Sequence, residues 1–90
     1  MIIDLTTDSD AARWLAALIA STDDVYARLP ETLSFDMTLR EGLGIDSIGL
    51  VSVFYALLDA TGGDEDERLV AELRTVGDVI ALARRLVVAR

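Results

Sequence analysis

The sequence predicts an all-α fold: a four-helix bundle with a long loop between its first and second helices and a short third helix. Three observations lead there. Apolar residues recur at helical spacing in several separate segments, and no segment alternates as a half-buried strand would. The composition, 52% hydrophobic but only 6% aromatic, is rich in Leu, Val, Ile and Ala. Ninety residues suit one modest core and are too few for a deep enzyme cleft, so residues 1–90 are read as a single domain.

The first helix is expected over residues 8–20. Thr7 and Ser9 are both credible N-caps, acids crowd the first turn, and Ala11, Leu15, Leu18 and Ile19 form the inward stripe, with Trp14 at its edge. Asp23 and Asp24 are expected to start a short extra turn through Val25, Tyr26 and Arg28, which Pro30 closes by disfavouring helical geometry at Leu29. A long connection to Ser47 follows, pinned to the core by Leu33, Phe35, Met37, Leu39 and Leu43. The second helix is expected over residues 47–60, ended by Gly62 and Gly63. The acids Asp64 to Glu67 suit the start of a short third helix through Leu69, Val70 and Leu73. The last helix is expected to begin at Thr75, whose hydroxyl and Asp78 approximate a capping box, although aspartate reaches back less well than the usual glutamate. Its stripe is Val76, Val79, Leu82, Ala83 and Leu86, and Arg84, Arg85 and Arg90 lie where the helix dipole favours positive charge.

Composition also narrows function. A net charge of −8 argues against nucleic acid, whose phosphates would be repelled, and favours a basic partner surface. The longest apolar runs, residues 14–20 and 53–58, fall far short of the roughly 20 residues a spanning helix needs, so no membrane is expected. Met1-Ile2-Ile3-Asp4 lacks the basic flank of a signal peptide, and a cytoplasmic protein is expected. Without cysteine there is no disulfide framework and no thiolate metal site. Histidine and lysine are absent too, which removes the commonest general base and the Schiff-base amine together.

The second helix carries two apolar faces. At about 100° per residue, Leu50, Val53, Phe54 and Leu57 share one side. Ile48, Val51, Tyr55 and Leu58 cluster on a roughly opposite side, leaving a narrow polar seam of Gly49, Ser52 and Asp59. The second face either touches the loop before Ser47 or docks a partner. At the mouth of this helix, Asp46-Ser47 reads either as an ordinary N-cap or as an exposed hydroxyl open to modification. Asp46 is a poor base at neutral pH, so catalysis by Ser47 itself is not expected. The dipole end and free N–H groups of the helix would tolerate a phosphodiester there.

Context decides between these. Leu39-Arg40-Glu41-Gly42-Leu43-Gly44-Ile45-Asp46-Ser47-Ile48 resembles the signature of the acyl and peptidyl carrier proteins, in which a hydrophobic residue, a short acidic stretch and Leu-Gly precede an Asp-Ser-Leu core. Leu73-Arg74-Thr75-Val76-Gly77-Asp78-Val79 is similar to the start of the family's final helix, and the resemblance covers roughly residues 8–88. It implies a non-catalytic shuttle with 4′-phosphopantetheine, taken from coenzyme A, attached to Ser47 by a phosphopantetheinyl transferase that brings its own Mg²⁺. The arm's thiol would carry an acyl, aminoacyl or peptidyl group as a thioester. Partners would include loading, condensing and tailoring enzymes, and the carrier itself is expected to be a monomer. Asp46, Ile48, Val51 and Tyr55 would lie on the face that partners read.

Departures from the family pattern also matter. Fatty-acid-synthase carriers usually show an acid-rich second helix, whereas Gly49, Ser52 and Leu58 stand here and only Asp59 is retained. A more apolar docking surface with a weaker salt dependence is therefore expected. Together with the unusual segment from Thr61 to Glu67, this points to polyketide or nonribosomal peptide assembly. Met1 and the compact length suggest a free-standing carrier. Two other classes remain as expectations to test. One is a helical interaction domain using Ile48, Val51 and Tyr55 without a prosthetic group. The other is a small enzyme built on Asp46 and the acids Asp64 to Glu67, which lack calcium-loop spacing and read better as a solvated helix start.

Overall fold

The computed structural model describes residues 3–23 and 25–89. Three α-helices and one 3-10 helix pack around a common core: α1 (Asp8–Ser21), α2 (Ser47–Thr61), the 3-10 helix (Glu67–Glu72) and α3 (Val76–Ala89). This is the expected all-helical bundle, with its long loop between α1 and α2 and a short third helix. No strand forms among the described residues; an isolated bridge joins Thr38 to Thr75.

Of the two candidate caps, Thr7 is the one used, its Oγ1 accepting the Asp10 N–H at 3.1 Å. Ala11, Leu15, Leu18 and Ile19 are buried as their spacing requires. Trp14 is buried with them rather than sitting at the edge, because it lies three residues after Ala11 and four before Leu18 on the same stripe. The helix closes with the Thr22 N–H bonding the Ile19 carbonyl and the Ser21 and Thr22 hydroxyls bonding that of Leu18.

The short turn expected after Asp23 does not form where the chain is described. Residues 25–30 are non-helical, and Asp24 lies outside the described residues. The reason lies in backbone pairing: the Arg28 N–H reaches across the loop to the Leu43 carbonyl at 2.8 Å. The rest of the loop is stitched to the start of α3. Leu39 N–H bonds Arg74 O, Val76 N–H bonds Met37 O, and Gly77 N–H bonds Phe35 O, each at 2.9 Å. Leu33, Leu39, Leu43 and Ile45 then enter the core, with Phe35 and Met37 half-buried against it. A loop of this length keeps one path because its polar backbone is paired and its apolar side chains are buried.

In α2 the inward face is Leu50, Val53, Phe54 and Leu57, as predicted, and the helix ends at a left-handed Gly62 (φ 71°). Gly49 is buried as well and so does not belong to a polar seam; a Cβ there would lie 3.0 Å from Ile45 Cγ2. The third element is a 3-10 helix with no fully buried side chain. Leu69 and Val70 only partly cover the core, which suits the shorter, poorly bonded helix type.

Helix α3 buries Val76, Val79, Leu82, Ala83 and Leu86, and Ile80 joins them. Its capping box closes fully. Thr75 Oγ1 accepts the Asp78 N–H at 3.2 Å, while Asp78 Oδ2 accepts the N–H groups of both Thr75 and Arg74 at 3.0 Å. The aspartate is therefore long enough here. These backbone bonds hold its carboxyl below the usual carboxylate range. Arg84 and Arg85 turn away from the final carbonyls. Arg84 bonds the Leu5 carbonyl and pairs with Asp8 at 3.0 Å, and Arg85 pairs with Glu65 at 3.3 Å. Arg90 lies outside the described residues.

The Asp78 shift has a pH signature. A carboxyl with a lowered folded pKa contributes stability that is complete above its unfolded value and is lost as pH falls through the folded one. Asp78→Ala is expected to lower the urea midpoint at neutral pH and to lie closer to wild type at about pH 3, where part of the contribution is already lost. An equal difference at both pH values would refute the cap's electrostatic role.

Candidate functional site

The site is the mouth of α2 with the segment that delivers it. Leu43 N–H bonds Thr38 O at 3.0 Å, and Ile45 N–H bonds Leu39 O at 2.9 Å, so the chain folds back on itself just before the helix. Gly44 makes that reversal with φ 73°, a conformation in which a side chain would be strained. Leu43 and Ile45 are almost wholly buried on either side of it. They anchor the next two residues at the surface.

Asp46, rather than Ser47, is the N-cap. Its Oδ1 accepts the Gly49 N–H at 2.7 Å, a contact worth about 1 kcal/mol. Asp46 therefore serves the helix and makes no hydrogen bond to Ser47. Ser47 is the first residue of α2 and is exposed. Its hydroxyl makes no hydrogen bond among the described residues. The backbone N–H groups of Ser47 and Ile48 at this dipole end also find no protein acceptor there.

The four residues assigned to a partner-reading face separate. Asp46, Ile48 and Tyr55 are exposed, Ile48 by 74% and Tyr55 by 51%. Val51 is half-buried and turns toward a neighbouring cleft. Leu58 is half-buried too, so the second apolar face narrows to Ile48 and Tyr55. Tyr55 packs edge-on against Phe54 (centroids 5.6 Å apart, planes at 73°) and its Oη donates to Glu67 Oε1 at 2.8 Å. That hydrogen bond, ahead of a smaller desolvation effect, raises the Tyr55 pKa above its ordinary value.

Beside Ser47 opens a cleft of about 600 Å³ between α2, the loop and the 3-10 helix. Leu50, Val51, Val70 and Leu73 give it an apolar lining, and Arg40, Arg68 and Arg74 reach it from the rim. Nothing in the spacing of these arginines marks them for the site, because the pairing of Leu39 with Arg74 joins segments far apart in the chain. Three of the four acids just after Gly63 have separate structural tasks. Asp66 caps the 3-10 helix and binds Arg68, Glu65 pairs with Arg85, and Glu67 receives Tyr55. No group of acids is arranged to hold a metal among the described residues.

The bundle thus presents an unpartnered serine hydroxyl at a helix mouth, in a chain without histidine or lysine. Residues 13–83 match the family described as phosphopantetheine attachment site, and the chain belongs to that family. It is a carrier bearing covalent 4′-phosphopantetheine and is not an enzyme. The match favours this over an interaction domain lacking a prosthetic group. No curated protein matches the chain. The site fits the group: a free hydroxyl, open N–H donors suited to a phosphodiester, and a partly apolar cleft alongside.

Proposed function

We propose that Ser47 bears the 4′-phosphopantetheine arm and that the chain presents acyl, aminoacyl or peptidyl thioesters to the enzymes of a polyketide or nonribosomal peptide pathway, or of a fatty-acid-like one. The observation that carries the assignment is the Ser47 hydroxyl, exposed and unpartnered at the first turn of α2, inside the matched region. When attached, the arm supplies a thiol that holds the cargo as a thioester. The chain's own residues then have three tasks. Asp46 keeps the first turn intact, the Ser47 and Ile48 N–H groups would be open to the phosphate of the arm, and Ile48 and Tyr55 with Asp46 and the margin of Val51 give partners an apolar surface.

The specialised pathway rests on that surface, which lacks the acid-rich pattern of fatty-acid carriers. Residues 1–90 act as a single carrier domain, monomeric and cytoplasmic. No helix among the described residues is long and apolar enough to cross a membrane. The transferase must supply the base that takes the Ser47 proton as the Oγ–P bond forms and the pyrophosphate link of coenzyme A breaks. Incubation with a promiscuous transferase, Mg²⁺ and coenzyme A is expected to add one phosphopantetheine mass to the protein. Unchanged mass under conditions that load a control carrier would overturn the proposal.

A further inference from the structure

The cleft beside Ser47 has a charge balance opposite to that of the chain. Acids outnumber bases 16 to 8 overall, yet Arg40, Arg68 and Arg74 line this cleft against Glu41 and Glu67. Pairing leaves two of these arginines uncommitted, alongside Glu41, which forms no ion pair among the described residues either. Glu67 accepts the Tyr55 hydroxyl, and Arg68 is held by both oxygens of Asp66 at 2.8–3.2 Å. Arg40 and Arg74 form no ion pair among the described residues. Asp78 lies close enough for the Arg74 charge to act on it, but its Oδ2 is already committed to two backbone N–H groups. Two guanidinium groups free to bind thus stand at the rim of an apolar cleft that starts at the proposed attachment serine.

We infer that this cleft seats a cargo ending in a carboxylate, its methylene span lying on Leu50, Val51, Val70 and Leu73 and its charge meeting Arg40 and Arg74. The inference rests on attachment at Ser47. A guanidinium presents donors in a planar fork that matches a carboxylate with two parallel bonds, which a neutral acyl end cannot use. The apolar lining excludes water from one side of the contact and raises its strength. Tethering makes the encounter intramolecular, so even a weak contact fills the cleft.

The test loads the apo-protein through a promiscuous transferase with glutaryl-coenzyme A, with pentanoyl-coenzyme A of equal chain length, or with coenzyme A alone, and verifies each product by intact mass. The glutaryl form is expected to melt about 4 °C above the pentanoyl form at low salt, the shift that a modest contact gives a domain of this size. The gap should shrink on adding salt to the order of 0.5 M and disappear in the Arg40→Gln/Arg74→Gln double variant, whose altered residues are exposed and leave the core alone. Equal melting of the two cargo forms, or a gap untouched by the double variant, would overturn the inference. So would a salt-sensitive rise already complete with coenzyme A alone, which would give the arginines to the arm's own phosphodiester. Failure to gain mass would instead remove attachment at Ser47, and the cleft assignment with it.

Discussion

Ser47→Ala protein is expected to gain no mass from coenzyme A and a transferase, and to unfold within about 0.5 kcal/mol of wild type, as a surface substitution away from structural features does. Both halves follow from the geometry. The hydroxyl makes no bond that the fold uses, and the helix is capped by Asp46 through Gly49. Losing Oγ costs no cap and opens no cavity. Modification should fall from complete to nil, because no other side chain occupies the first turn of α2 with a hydroxyl. Intact mass and a urea titration on the same sample read the two quantities. Residual loading of the variant would move the attachment elsewhere; a large loss of stability would give Ser47 a structural duty that its exposure denies.

Phe54→Ala should show the opposite signature. Phe54 is fully buried on the inward face of α2, and truncating such a ring costs about 3–5 kcal/mol. A domain of ninety residues has a total stability of about 5–13 kcal/mol, so the variant is expected to lose a large share of it and to melt at least roughly 12 °C lower. Loading by the transferase at low temperature should persist wherever the folded fraction persists. Phe54 also supports the Tyr55 ring edge-on, a contact that the substitution removes while the protein is still folded. Thermal unfolding followed by circular dichroism reads this directly. A shift of only a few degrees would mean that the ring is not the centre of the core.

The contrast between these two substitutions shows what the sequence makes legible. Periodicity places the inward stripes of all three α-helices, because burial of one face is a local repeat that a single chain records. The expected start of the second helix at residue 47 also places Ser47 at a helix mouth, whereas the reversal at Gly44 is seen only in the structure. The cap is subtler: Asp46 and Ser47 both have the chemistry, and only backbone geometry decides that Asp46 stays outside the helix while Ser47 enters it. Trp14 reads as peripheral only if its size is weighed above its spacing. The third helix keeps its position but takes 3-10 form, since Leu69 and Val70 alone offer too little apolar surface to fix a regular turn. The arginine-rimmed cleft is not legible at all. Arg40 and Arg74 share a cavity because of hydrogen bonds between distant segments, and no pattern along the chain encodes that meeting.

Those same hydrogen bonds set an order of events. The segment that aims Ser47 hangs on the Arg74 carbonyl and on the amides of Val76 and Gly77, which lie about thirty positions downstream of the serine. While the chain is being synthesised, helix α2 can emerge with its hydroxyl exposed, yet the loop in front of it has no rail to lie against until residues 74–77 have been made. The presented geometry of the serine is therefore a late property of the polypeptide. For a modifying enzyme that reads this geometry, chains truncated before α3 are expected to stay unloaded, which intact mass would check.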